Sequence, residues 1–127
     1  MDLKLHDTVD YSVIKFPADH LIPKEFSQLT GFKSITYTAD ECSVIVPTNS
    51  IDTRRAIAAD SNWFIIQIVG ELDFTLIGIL TQLANPLAEN GISIFTLSTY
   101  NTDYLLIKNA DKENTLTVLK QAGHFFI

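Results

Sequence analysis

The chain has little of several things, and each shortage closes off a class of function. Cys42 is its one cysteine, so no intramolecular disulfide can form and no Cys-x-x-Cys metal or redox pair exists. It lies between Glu41 and Ser43 at the head of an apolar run, with no histidine or other base beside it. A reactive thiolate needs an electropositive setting, so Cys42 is read as a structural thiol. The three histidines, His6, His20 and His124, stand at no helical spacing from one another or from the cysteine. They are read as scattered polar residues, and no metal is expected. Arginine is confined to Arg54 and Arg55, and nine basic residues face fifteen acidic ones for a formal charge of −6. Nucleic acid and anionic membrane surfaces both need clustered lysine and arginine, so neither is an expected partner. No apolar run is long enough to span a bilayer, and the opening MDLKLHDTVD lacks the charge and apolar centre of a signal peptide. The cytosol is the expected location.

What is present is material for a core. Of 127 residues, 46% are hydrophobic and 19% charged, so a folded domain is expected rather than a disordered chain. A chain of this size buries roughly two thirds of its unfolded surface. The mean hydropathy of +0.17 hints at apolar surface left for self-association.

Along the chain, residues 1–8 read as a loose polar arm. From Val9 the sequence alternates as a strand that Pro17 ends. Pro23 and Gly31 enclose one or two helical turns over KEFSQLT. FKSITYT and CSVIV, joined by Ala39, Asp40 and Glu41, read as a hairpin. Residues 48–61 are polar, small and without a clear period. They read as a linker, with a helical turn over 52–58 that Asp52 would cap and Ile57 would pack.

The second half is more regular. NWFIIQIVG is a continuous apolar run expected as a central strand buried on both faces. After the loop GELDF, a helix over Thr75 to Asn90 would place Leu76, Leu80, Leu83 and Leu87 on one face, with Gly78 allowing close packing. Pro86 should bend its last turn, and Asn90 with Gly91 should stop it. ISIFTLST and DYLLIK then pair around the turn at Tyr100, Asn101 and Thr102. Asp111 would cap a last helix carrying Leu116, Leu119 and Ala122, ended by Gly123, and HFFI closes the chain as a strand. The order βαββαβ predicts an α+β, ferredoxin-like fold: an antiparallel sheet with two helices on one face.

The halves repeat weakly. Gly31 and Gly91 each stop a helix and start a strand, and GFKSITYTADECSVIV lies against GISIFTLSTYNTDYLLI as strand, acidic turn, strand. The expected organisation is a shortened βαββ unit over residues 1–58 and a complete βαββαβ unit over residues 62–127. Pairing two such units would protect sheet edges, and a homodimer is expected on the same ground.

The runs LIGILTQLANPLAENGISIFTLSTYNTDYLLIK and TADECSVIVP, with the closing LKQAGH, resemble the small tandem ACT-domain proteins, related to the ACT units of aspartate kinases and of cytosolic arginine sensors. The resemblance spans most of the chain and is strongest from Trp63 to His124. It implies two ACT-like units with antiparallel sheets. It also implies a regulatory or sensory module that binds an amino acid or similar small molecule at an interface between ACT units. The residues themselves show no catalytic constellation, and no cofactor is expected. Carried over by position, the ligand would meet Gly70, Asp73 and Phe74 in the first loop. It would also meet Ser98, Thr99, Thr102 and Asp103 at the second hairpin, and Cys42, Ser43 and Val44 on the first unit.

The chemistry of those residues stands beside the resemblance. Free backbone N–H groups at a helix start near Phe74 to Leu76 would suit a carboxylate, and Asp103 an ammonium. A zwitterion would find both charges matched, by charge-assisted bonds roughly twice as strong as neutral ones. Two blander readings stay open: Asp73 capping its own helix, and Asp103 shaping its turn. A hydrolase or phosphotransferase would need a nucleophile with its base or an arginine-lined anion site, and Arg54 and Arg55 fall in the linker. A magnesium site from Glu71, Asp73 and Asp103 rests on acids from separate loops. The rival reading is a module that binds no ligand and works by dimerisation or by holding a protein partner.

Overall fold

The computed structural model describes residues 1–70 and 78–127. It divides into two compact units: Met1–Thr8 with Trp63–Ile127, and Val9–Asn62. Two long strands, β1 (Asp2–Phe16) and β4 (Ala58–Ile68), serve both. Residues 1–8 are therefore no loose arm. Leu3 and Leu5 alternate with Lys4 and His6, and this period of two turns Leu3 into the core, where it is fully buried. His6 Nε2 lies 2.8 Å from Gln67 Oε1, and Asp7 pairs with Lys112.

In the N-terminal unit the order is β4-β1-β3-β2, with β2 at Ser34–Tyr37 and β3 at Cys42–Pro47. β1 and β3 are antiparallel from Tyr11↔Pro47 to Phe16↔Cys42, and β2 and β3 from Ser34↔Ile45 to Tyr37↔Cys42. The expected hairpin is there. Thr38 Oγ1 closes its turn by accepting the N–H groups of Asp40 and Glu41. Ile14, Phe16, Cys42, Val44 and Val46 form the core of this unit. Its only helix, α1 (Glu25–Gln28), buries no residue.

The expected linker is shorter than its composition suggested. Residues 58–61 already belong to β4, and Ile57 N–H donates to Lys15 O at 2.7 Å. No helix forms over 52–58. Asp52 Oδ1 instead accepts Arg54 N–H at 2.9 Å, the side-chain turn that competes with helix at Asp. Ile57, expected to pack, is 59% exposed. Ser12, buried on β1, ties loop to strand through Thr48 at 2.6 Å and Ser61 at 2.7 Å.

In the C-terminal unit the order is β7-β1-β4-β6-β5, with β5 at Phe95–Ser98, β6 at Asp103–Lys108 and β7 at Phe125–Phe126. β4 and β6 are antiparallel from Trp63↔Lys108 to Gln67↔Tyr104, and β5 and β6 from Phe95↔Leu106 to Ser98↔Asp103. β7 runs parallel to β1, so the start of the chain lies between the first and last strands of the ferredoxin-like plan. Phe64, Ile65 and Ile66 are fully buried on alternate faces, as a central strand requires.

Two helices cover one face of this sheet, α2 (Thr81–Glu89) and α3 (Lys112–Gln121). Leu83, Leu87, Val118 and Leu119 share one core with Phe64, Ile66, Ile68, Leu105 and Ile107. The helix expected from Thr75 begins later. Gly78 has φ +74, a left-handed value closed to a helix interior, and Thr81 Oγ1 donates to its carbonyl at 2.7 Å. Residues 75–77, with Leu76, lie outside the described residues. Asp111 does not cap α3 through its side chain; a short 3-10 turn at Asn109–Asp111 leads into it. Leu116 is only half-buried and Ala122 is exposed, because the inward face runs through Thr115, Val118 and Leu119.

Both helices end alike. Ile92 N–H reaches back to Leu87 O at 3.0 Å, and His124 N–H to Leu119 O at 3.1 Å, around Gly91 and Gly123 at positive φ. The turn after Gly123 thereby carries His124 to α2. Pro86 has no N–H for the carbonyl of Gln82, four residues earlier, and His124 Nε2 donates to that carbonyl at 3.1 Å instead. The other ring nitrogen, Nδ1, lies 3.0 Å from the Met1 amine. His124 is thus a structural link between α2, α3 and the start of β1.

Candidate functional site

The β5–β6 hairpin ends in the pair Ser98↔Asp103, and the four residues between them make a tight turn. Thr99 N–H donates to Thr102 O at 2.9 Å. Thr102 is buried, and its hydroxyl donates to Ile68 O at 2.7 Å, which pins the hairpin tip to the end of β4. Two residues on stands Gly70, exposed, at φ +103. Gly70, Ser98, Thr99, Thr102 and Asp103 therefore gather at one end of the C-terminal sheet.

Within this group Asp103 carries the charge. Ser98 Oγ donates to Asp103 Oδ1 at 2.5 Å, which orients a half-exposed carboxylate. Its other oxygen has no hydrogen bond among the described residues. Asp73 and Phe74, expected beside it, lie outside the described residues. Thr102 is a hinge pin by its contacts: its hydroxyl is spent on Ile68.

The three candidates on the first unit are placed differently. Cys42 and Val44 are fully buried in the core of the N-terminal unit, and the free thiol of Cys42 is enclosed there. Ser43, on the opposite face of β3, is half-buried between Lys15 and Thr36. Only Ser43 of the three shows side-chain surface.

Sequence reasoning passed over a second concavity, in the N-terminal unit. A cavity of 310 Å³ is lined by Pro23, Glu25, Asn49, Ser50, Ile51 and Asp52. Ser50 Oγ is buried there without a hydrogen-bond partner. Asp52 is held in a fork by Arg54, with Nη2 at 2.6 Å and Nε at 2.9 Å from Oδ2. Those bonds, helped by the Arg54 N–H, bring the Asp52 pKa down to about 2. His20, stacked on Phe16 at 4.0 Å, is buried with both ring nitrogens unpartnered. The sequence signal for this site was the run Asn49 to Asp52, dense in small polar side chains, which composition alone marks as loop.

Among the described residues no three metal-ligating side chains gather, and no helix is long and apolar enough to cross a membrane. The model of the ACT domain family matches residues 58–121, from the start of β4 to the end of α3. The chain belongs to the ACT-domain family. A crystal structure of an Agobacterium tumefaciens protein is 32% identical, with a TM-score of 0.86, and the match covers 99% of this ACT chain and 91% of that one. The regulatory subunit of aspartate kinase from Thermus thermophilus, in its ligand-free form, shares the fold at a TM-score of 0.62 and 12% identity, over 95% of this chain and 96% of its own. The human sequence named "Putative protein CASTOR3P" is 33% identical over 92 residues, which is 63% of this chain and 56% of the human one. This chain thus spans little more than half the length of that human relative.

Proposed function

We propose that this ACT protein is a non-catalytic regulatory or sensory module that binds a free amino acid at the hairpin end of its C-terminal unit. The observation that carries the reading is Asp103: a carboxylate oriented by Ser98, half-exposed, with one oxygen unengaged among the described residues. An ammonium group suits that oxygen, because a charge-assisted hydrogen bond is roughly twice as strong as a neutral one. Ser98, Thr99 and the exposed backbone at Gly70 supply polar contacts, and Asp73 and Phe74 belong to the same proposed site. The family supports the reading, as does the likeness to a kinase subunit named as regulatory.

Occupancy of this site is proposed to change association with a second copy or with a protein partner in the cytosol. Among the described residues β2 and β5 each have one neighbour in the sheet order, and paired edges are what a homodimer would supply. The exposed apolar residues Tyr100, Phe125 and Ile127 favour an alternative, a module that works by protein contact alone.

A thermal-shift screen of the twenty amino acids tests the two readings. A ligand that binds only the folded form stabilises it by about 2.7 kcal/mol at a hundredfold excess over Kd. The expected result is a rise in melting temperature with one amino acid or a close set, lost in Asp103→Asn and reduced in Asp73→Asn. If no amino acid shifts the native protein at millimolar concentration while it still captures a specific partner, the contact-only reading stands.

A further inference from the structure

The cavity in the N-terminal unit exists because a helix is missing. In the C-terminal unit the strand after the hairpin, β6, leads into α3, which lays Val118 and Leu119 on the sheet. In the N-terminal unit β3 leads instead into residues 48–57, which contain no helix. The core strands there are covered by Ile22, Phe26 and Leu29 from one side and by Ile51 and Ala56 from the loop. Short covering segments cannot close over a sheet as an amphipathic helix does. The space left is 310 Å³, at the small end of the range in which proteins hold ligands.

The lining selects a chemistry. Pro23 and Ile51 are apolar. Asp52 is already matched by Nε and Nη2 of Arg54, so that pair presents no net charge. Glu25, an exposed residue, has no ion pair among the described residues and brings a carboxylate to the lining. Ser50 Oγ has no partner, so turning it about its side-chain bond toward a guest sacrifices no hydrogen bond. Asn49 adds an amide at the rim. An anion would face the Glu25 carboxylate, and a purely apolar guest would leave both that charge and the Ser50 hydroxyl without a new partner.

We propose that this cavity is a second small-molecule site, separate from the Asp103 hairpin, and that it takes a short aliphatic amine. The ammonium lies at Glu25, the carbon chain on Pro23 and Ile51, and the remaining ammonium hydrogens face Ser50 and Asn49. The site needs nothing from the C-terminal unit.

The test is a titration of the full chain with butylamine, followed by amide NMR shifts, with butanol and butyrate as controls of equal length. Butylamine is expected to give saturating shifts at Glu25, Asn49, Ser50, Ile51 and Asp52. Butanol is expected to bind about tenfold more weakly, since it lacks the charge, and butyrate not at all. Glu25→Gln should weaken butylamine about tenfold while the amides of the C-terminal unit stay in place. Ile51→Trp, which fills the cavity, should abolish the shifts. Asp103→Asn should leave them unchanged, which keeps this outcome independent of the amino-acid screen. The proposal is overturned if butylamine gives no saturating shift at these amides up to roughly 50 mM, a generous limit for a ligand of five heavy atoms. It is equally overturned if butanol binds as well, or if Glu25→Gln or Ile51→Trp changes nothing.

Discussion

The two units share a strand plan and differ in what covers it. Each runs strand, helix, strand, strand, yet α1 has four residues and buries none of them, while α2 has nine and buries Leu83 and Leu87. The C-terminal unit adds α3 and closes one core around both helices; the N-terminal unit has only loop at that step. Backbone pairing alone does not set the stability of such units, because the helices supply the apolar area removed from water. The better-covered unit offers polar groups at its hairpin tip, and the less-covered one retains a cavity over its sheet.

The largest test of that contrast is truncation of matched helix residues. Leu83→Ala or Leu87→Ala should cost about 2–5 kcal/mol in urea unfolding, since each is fully buried in a shared core. Phe26→Ala, on the half-exposed face of α1, should cost visibly less. Equal losses would mean that the short helix carries as much of the fold as the long one.

Next in size is the start of the chain. Leu3→Ala should cost about 2–3 kcal/mol, the low end of a buried leucine because it lies near a strand end. A loss near zero would return residues 1–8 to the status of an arm.

A smaller effect tests the link between α2 and α3. His124→Ala should destabilise by about 1–3 kcal/mol, because it leaves the Gln82 carbonyl unpaired. In a Pro86→Ala background the helix regains its own N–H for that carbonyl, and the same change should cost about 1 kcal/mol less. Purely additive losses in the double-mutant cycle would remove Pro86 from the account.

The smallest effect belongs to the rim of the N-terminal cavity. Asp52 is held at a pKa of about 2, below its ordinary 3.8, by Arg54. A depressed carboxylate stabilises the fold above the unfolded pKa, and that contribution is lost as pH falls from about 3.8 through about 2. The pair is exposed, so the effect on unfolding should be slight. The direct readout is the Asp52 carboxyl titration by NMR: Arg54→Ala should move its midpoint back up toward 3.8.

Elements with a strong period or a sharp stop were legible in sequence. The apolar run at Phe64 to Ile68, the stripe through Leu83 and Leu87, and the stops at Gly91 and Gly123 each announce themselves within a dozen residues. The misread parts depended on distant partners. Asp2–Thr8 looks polar enough for an arm, and only pairing with β4 and β7 makes it a strand. His124 shows no metal spacing and was read as incidental; its role needs a carbonyl freed by Pro86 in another helix. Of the candidate site, Asp103 with Ser98 was legible as an acidic turn. The burial of Cys42 and Val44 was not, because alternation along β3 leaves open which face meets the core until α1 and the loop are in place.

The sequence by itself determined the α+β class and the C-terminal helix stops, because these rest on local period, turn chemistry and residue order, and its runs from Trp63 to His124 carried the resemblance to the family that the comparison bears out. Only the tertiary structure decided that β1 and β4 serve both units, that Thr102 pins the hairpin to Ile68, and that a missing helix leaves a cavity beside Ser50. Those features are contacts between residues far apart in the chain, and no local pattern specifies which distant carbonyl a hydroxyl will find or which face a short loop will fail to cover.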